Sequence, residues 1–185
     1  MKHALVPLAP GFEEIEAITI IDILRRAGVT VTVAGTQPGA IEASRKTKHL
    51  PDCTLDEIRA EDFDLLVLPG GQPGTDNLRR DPRLRQIILN LNSRQCLLAA
   101  ICAAPTVLGD AGILTGRTVT GHPSVHTELA TQAGQVSNTR VVVDGKIITG
   151  QSPGAAMEFA FKLVEILCGP TTVAEVNSGV LARLF

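Results

Sequence analysis

Short uncharged apolar runs alternate along the chain with longer segments whose apolar residues recur at helical spacing. The first run covers residues 3–8 and is ended by Ala9-Pro10-Gly11. Residues 13–28 then read as a helix, with Glu13, Glu14 and Glu16 in the first turn, Arg25 and Arg26 in the last and Gly28 as its stop, all in the sense a helix dipole prefers. Residues 29–34 are β-branched and strand-like, 41–50 leave room for a short hairpin, and 64–68 form a second apolar strand closed by Pro69-Gly70-Gly71. Residues 82–92 place Leu84, Ile87, Ile88 and Leu91 on one helical face, and the run Cys96–Ile101 is strand-like. A helix is expected from Pro105, a brief strand over 117–120, and a hairpin whose arms at 141–143 and 147–149 flank Asp144-Gly145-Lys146. A helix over 155–167 and a terminal helix from Pro170, carrying Val173, Val176, Val180 and Leu184, complete the pattern.

Continuous apolar strands are buried on both faces, and their alternation with amphipathic helices predicts an α/β fold with a mostly parallel sheet between helical layers. No linker or repeat interrupts it, so residues 1–185 are expected to form one domain. In such sheets, sites gather beyond the C-terminal strand ends. The loops 9–16, 69–75, 102–105 and 121–123 should therefore converge.

Composition narrows the function classes. The 185 residues are 44% hydrophobic and 19% charged, with a net charge of −2, no Trp, no Tyr and five Phe. Nucleic-acid binding lacks both its basic patch and its stacking platforms. The longest apolar run, 96–104, is about half of a membrane span, and the N-terminal stretch, broken by Pro7 and Pro10, does not read as a secretory signal. Cys53, Cys96, Cys102 and Cys168 show no framework spacing, and the histidines lack ligand pairs, which favours reduced thiols in a cytoplasm and no metal.

The chemistry concentrates around Cys102. It falls where a buried strand turns into a helix, so free helix N–H groups and the dipole should favour its thiolate. On its own it reads first as a small buried hydrophobe. Glu16 is either a solvated first-turn acid or a buried, protonated one with a raised pKa that donates a hydrogen bond to the sulfur. Gly70-Gly71 is a turn whose N–H groups could approach an oxyanion. His122, before Pro123, is a loop residue or a proton shuttle.

Together these segments have a specific order. Glu13-Glu14-Ile-Glu16 after Ala9-Pro10-Gly11, Leu68-Pro69-Gly70-Gly71, Ala99-Ala100-Ile101-Cys102-Ala103-Ala104-Pro105, His122-Pro123 and Pro153-Gly154 resemble the ThiJ/PfpI superfamily, and most closely its Parkinson-disease-associated deglycase branch. Arg25-Arg26, Ser44-Arg45 and the helix carrying Phe159 extend the resemblance over essentially the whole chain. It implies a flavodoxin-like three-layer sandwich, of the class I glutamine amidotransferase-like kind. It further implies Cys102 as nucleophile in a strained backbone conformation, Glu16 as its protonated partner holding the thiol at a low pKa, and His122 as general acid/base. Gly70, Gly71, Ala103 and Pro153 would line the oxyanion and substrate pocket. A homodimer is implied, with Arg26 or Arg45 near the partner's pocket. Gln151-Ser152 stands where relatives often have Arg-Gly or Gln-Gly, which would weaken anion binding at the mouth. Ala103 stands where peptidase-like members have a His, which argues against proteolysis.

The activity so implied is cofactor-independent conversion of small reactive aldehydes such as methylglyoxal, or release of early glycation adducts, through a Cys102 hemithioacetal. The alternative is an oxidative-stress sensor or chaperone working through a Cys102 sulfinate. A Cys–His amidase or peptidase is a distant third.

Overall fold

The computed structural model describes residues 2–183. Leu184, expected on the terminal helix, lies outside the described residues. The main elements are β1 (His3–Leu8), α1 (Glu14–Arg26), β2 (Thr30–Gly35), β3 (Ile41–Glu42), β4 (Lys48–His49), β5 (Cys53–Thr54), β6 (Leu65–Leu68), α2 (Gly74–Arg80), α3 (Pro82–Ser93), β7 (Leu97–Ile101), α4 (Pro105–Asp110), β8 (Thr118–Val119), α5 (His126–Gln132), β9 (Gln135–Val136), β10 (Val141–Asp144), β11 (Ile147–Gly150), α6 (Ala156–Cys168) and α7 (Pro170–Val180).

Seven strands form one sheet in the order β10-β11-β7-β6-β1-β2-β5, parallel throughout except for the β10–β11 hairpin. The alternation of side chains explains why β6 and β7 carry no polar residue. Leu65 and Val67 of β6, with Leu97, Ala99 and Ile101 of β7, join one core with Ile20, Leu24, Phe159 and Leu163 of α1 and α6. Leu66, Leu68, Leu98 and Ala100 point the other way, into a second core with Leu84, Ile88, Leu91, Leu108 and Leu129. Both faces are thus covered by helices, and each of the larger side chains, Val, Leu, Ile or Phe, contributes about 1.5–3 kcal/mol on burial. This is the flavodoxin-like fold.

Two short elements differ from expectation. Residues 117–120 do not join the main sheet; β8 pairs in parallel with β9, which is too short and polar to be visible as a periodic pattern. The helix α2, packed with Gly, Thr and Asn, has no helical periodicity to announce it. The expected hairpin is present as the antiparallel pair β3–β4. Among the described residues, no helix is long and apolar enough to cross a membrane.

The chain leaves β1 for β2 on one side and returns with β6 on the other, so the strand order reverses at β1. Loops following strands on the two sides of such a reversal leave a crevice between them. The loops after β1 and β6 border it here, and those after β7 and β8 adjoin them.

Candidate active site

The strand β7 ends at Ile101, and the next residue, Cys102, has φ +66°. The left-handed region is unfavourable for a side chain with a Cβ, by about 1–2 kcal/mol, and persists only where the surroundings enforce it. Here both peptide groups of Cys102 are tied. Its N–H donates to Gly150 O at the end of β11 (2.9 Å), and its C=O accepts from His122 N (2.8 Å). Beyond it, Ala104 N reaches back to Ile101 O, and Pro105 opens α4 at a position where a missing N–H costs nothing.

The turn after β6 comes so close to this elbow that only glycine fits. A Cβ on Gly70 would lie 2.7 Å from Cys102 Cβ and 2.9 Å from Ile101 O. Gly71, at φ +90°, would place a Cβ 2.4 Å from Glu13 N. With the turn in this position, the N–H groups of Gly71 and Ala103 lie on the side of the Cys102 sulfur and favour its thiolate. Gly70 N donates to Glu16 Oε2 at 2.8 Å, and Gly70 O accepts from Glu13 N at 2.9 Å.

Glu16 is fully buried, which excludes the solvated reading. Its Oε1 makes no hydrogen bond of ordinary geometry, and the carboxyl adjoins the Cys102 sulfur. Burial pushes its pKa up to about 7; the Gly70 N–H and Cys102 oppose this, and the charge of Glu13 adds to it. Cys102 is 8% exposed. Contrary to the depressed value expected from helix N–H groups alone, its thiol is pushed up to about 12 by burial, by the Glu16 charge and by hydrogen bonding to it, against the Gly71 and Ala103 N–H groups. The expectation left out desolvation, which the strand–helix elbow imposes on whatever sits there. It also took Glu16 as neutral, whereas an ionised Glu16 repels a thiolate. The two groups share one proton, and the second leaves only at high pH.

His122 joins the site through its backbone. Its ring is half-exposed, and Nδ1 accepts from Ser124 N (3.2 Å) and meets Ser124 Oγ at 2.8 Å. Because a backbone N–H donates to Nδ1, a neutral ring carries its proton on Nε2. Pro123 starts a short 3₁₀ turn after it, and His126 begins α5, so the two histidines do not share a helix face.

The remaining expected residues are dispersed. Pro153 opens a 3₁₀ turn after β11, the strand that neighbours β7, and so lies at the same sheet end. Gln151 Nε2 donates to Asn138 O at 3.1 Å, and Arg140 engages Glu158 and Gly154 O. Arg26 pairs with Asp22 on the exposed face of α1 (2.6 Å), and Arg45 N donates to Glu14 Oε1 (2.9 Å). Among the described residues, no three or more His, Cys, Asp or Glu side chains converge to hold a metal. Sequence reasoning missed Gly150, whose carbonyl fixes the elbow, and Gly11 and Gly74, whose missing Cβ atoms let the loop after β1 lie against α2. Ser44 also belongs to the site's rim: its hydroxyl lies 3.0 Å from Glu13 Oε2 and 2.9 Å from Glu14 Oε2.

Comparison with known proteins identifies the family. The DJ-1/PfpI family model matches residues 2–166. The chain belongs to the DJ-1/PfpI family. Protein dj-1beta of Drosophila melanogaster is 44% identical over 97% of each chain, and its crystal structure superposes with a TM-score of 0.94 over 98% of each. The Parkinson disease protein 7 homolog of Danio rerio is 38% identical over 98% of each chain. A third DJ-1/PfpI relative, the glutathione-independent glyoxalase DJR-1.2 of Caenorhabditis elegans, is 36% identical over 91% of this chain and 90% of its own.

Proposed function

We propose that this chain is a cysteine-dependent enzyme that converts small reactive carbonyls, methylglyoxal foremost, without glutathione or another cofactor. The observation that carries the reading is the Cys102 elbow, with two backbone N–H groups on the sulfur and a buried carboxyl of pKa about 7 beside it. The name of the relative DJR-1.2 points to the same chemistry.

The reactive form has the proton on Glu16 and the charge on Cys102. Moving the proton to Glu16 removes the repulsion that holds the thiol high and turns the carboxyl into a donor toward the sulfur. The thiolate adds to the aldehyde carbon, and the carbonyl oxygen takes the Glu16 proton to give a hemithioacetal, leaving Glu16 as a carboxylate. Glu16, with a pKa suited to accepting and returning a proton at neutral pH, and His122 Nε2–H, as a donor, then move hydrogen from the aldehyde carbon to the neighbouring carbon. The former aldehyde carbon is oxidised to a thioester while the ketone carbon is reduced to an alcohol, so no external oxidant is consumed. Water releases lactate and restores the thiol. Gly71 N–H and Ala103 N–H lie where negative charge develops during addition and hydrolysis. Deglycation would use the same hemithioacetal chemistry, and the implied homodimer is compatible with it.

The test is methylglyoxal consumption with NMR identification of lactate. The wild type should turn over, and Cys102→Ala should not. Equal rates in the two proteins would sink the proposal.

A redox role is favoured by one specific feature. Cys102 has two N–H donors and an otherwise unpartnered Glu16 Oε1 around its sulfur, a setting that suits the oxygens of a sulfinate. The two readings differ over His122, which only catalysis needs.

A further inference from the structure

We propose that Arg79 is a positioning residue: one guanidinium behind the site clamps the three helices whose preceding loops assemble it. This rests on the thiolate reading above. Three loops meet at Cys102, and each runs directly into a short helix. The Gly70-Gly71 turn leads into α2, the Cys102-Ala103 elbow into α4, and the His122 loop into α5. Helices of six or seven residues have little stability of their own, so their positions are set by what they touch.

What they share is Arg79, in the last turn of α2. It forms a two-pronged ion pair with Asp110 at the end of α4, Nε to Oδ2 at 2.7 Å and Nη2 to Oδ1 at 3.0 Å. The same Nη2 donates to Glu128 Oε1 in the first turn of α5 at 2.5 Å. Asp110 is fixed further: Gln132 Nε2 of α5 donates to its Oδ1 (2.7 Å), and Arg85 Nη1 of α3 to its carbonyl (2.7 Å). A carboxylate at the C-terminal end of a helix is opposed by the helix dipole, so Asp110 does nothing for α4 alone. Its place makes sense as the acceptor for Arg79. The Arg79 side chain is 25% exposed, which limits screening, and the two-pronged geometry restrains orientation as well as distance.

The consequence is at the sulfur. Gly71 N–H comes from the α2 loop and Ala103 N–H from the α4 loop, while His122 N–H holds the Cys102 carbonyl from the α5 loop. Loosening α2 or α4 moves an N–H that favours the thiolate, loosening α5 frees the Cys102 carbonyl that holds the elbow, and displacements of about 0.5 Å are enough to matter at such a site.

The test measures the pH midpoint of Cys102 alkylation together with kcat and KM for methylglyoxal, in wild type, Arg79→Met, Arg79→Lys and Arg83→Met. Arg83 is a control of the same kind, since it bridges Asp81, Asp56 and Thr36 O without touching a site loop. Arg79→Met should raise the alkylation midpoint by about half a unit to one unit and lower kcat about tenfold with KM nearly unchanged, as expected when donors to the charged form are misplaced. Arg79→Lys should recover part of both, and Arg83→Met should match wild type. If Arg79→Met does not fold, Glu128→Gln, which loosens only the α5 arm, should shift both readouts in the same direction by less. A wild-type midpoint at the free-thiol value would overturn the thiolate reading and the clamp with it. A low wild-type midpoint that the Arg79 or Glu128 variants leave in place, or that Arg83→Met shifts equally, overturns the clamp alone.

Discussion

Gly70 and Cys102 are packed so closely that the Cβ absent from Gly70 would fall 2.7 Å from the Cβ of Cys102. The same position would crowd Ile101 O at 2.9 Å and Ala103 N at 3.0 Å, and these are backbone atoms that cannot swing aside. The nucleophile's elbow and the glycine turn therefore hold each other in place. Gly70→Ala should destabilise the fold by about 1–3 kcal/mol, the range for overpacking a rigid site. It should also lower methylglyoxal turnover at least about tenfold, because Gly71 N–H is displaced from the sulfur. Thermal denaturation and steady-state assays on the same preparation check both.

Burial of Glu16 carries a pH signature. Its pKa is about 7 in the folded protein against 4.5 for the free side chain, so the folded state favours the protonated form. The stability tied to this group is fully present below pH 4.5 and is lost as pH rises through about 7. The loss amounts to about 3 kcal/mol, from 1.36 kcal/mol per pKa unit. Glu14, Glu57 and Asp144 have lowered values and act oppositely, losing stability as pH falls. The clean readout is therefore the difference between wild type and Glu16→Gln in urea denaturation. The variant should gain relative to wild type between pH 5 and pH 8, and a flat difference would contradict the buried-acid account.

His122 and Ser124 separate proton transfer from ring positioning. His122→Ala should lower kcat by about 10²–10⁴-fold, the usual worth of a general acid/base. Ser124→Ala removes the hydroxyl but keeps the backbone N–H on Nδ1, so the Nε2–H tautomer survives and the loss should stay below about tenfold. Steady-state kinetics at saturating methylglyoxal distinguish the two.

Graded peroxide should add two oxygens first to Cys102, and in Glu16→Leu the product should run on to three. Cys53 is held in its thiol form by burial and by the charges of Glu57 and Asp52, and Cys168 by burial. Intact-mass and peptide-level spectrometry report the order. Oxidation beginning at Cys53 or Cys168 would remove the sensor reading.

The parallel sheet and its two helical layers were legible because strands such as 64–68 and 96–101 are apolar at every position, which only burial on both faces allows. The acid, turn and nucleophile were legible as a motif order, and the crevice beside β1 brings Glu16, Gly70 and Cys102 into one cluster. What stayed out of reach depends on distances between segments. No pattern in the sequence shows that Gly150 O receives the Cys102 N–H, that Arg79 spans Asp110 and Glu128, or that desolvation outweighs two N–H donors at the sulfur. Arg26 and Arg45 were singled out by resemblance alone; within the chain Arg26 pairs with Asp22 and the Arg45 backbone with Glu14.

In the proposed mechanism Cys102 and Glu16 share one proton above about pH 7, with the charge on sulfur in the reactive form. The most direct measurement is the rate of Cys102 alkylation against pH in wild type, Glu16→Gln and Glu16→Leu. The wild type should show a midpoint near 7, where the pair loses its first proton, and Glu16→Leu should move it above the free-thiol value of about 8.5, because only desolvation then acts on the sulfur. Glu16→Gln, which can donate but cannot take up the proton, should fall between them. A wild-type midpoint at the free-thiol value of about 8.5 or higher, or one that Glu16→Leu leaves unchanged, would contradict the shared-proton mechanism.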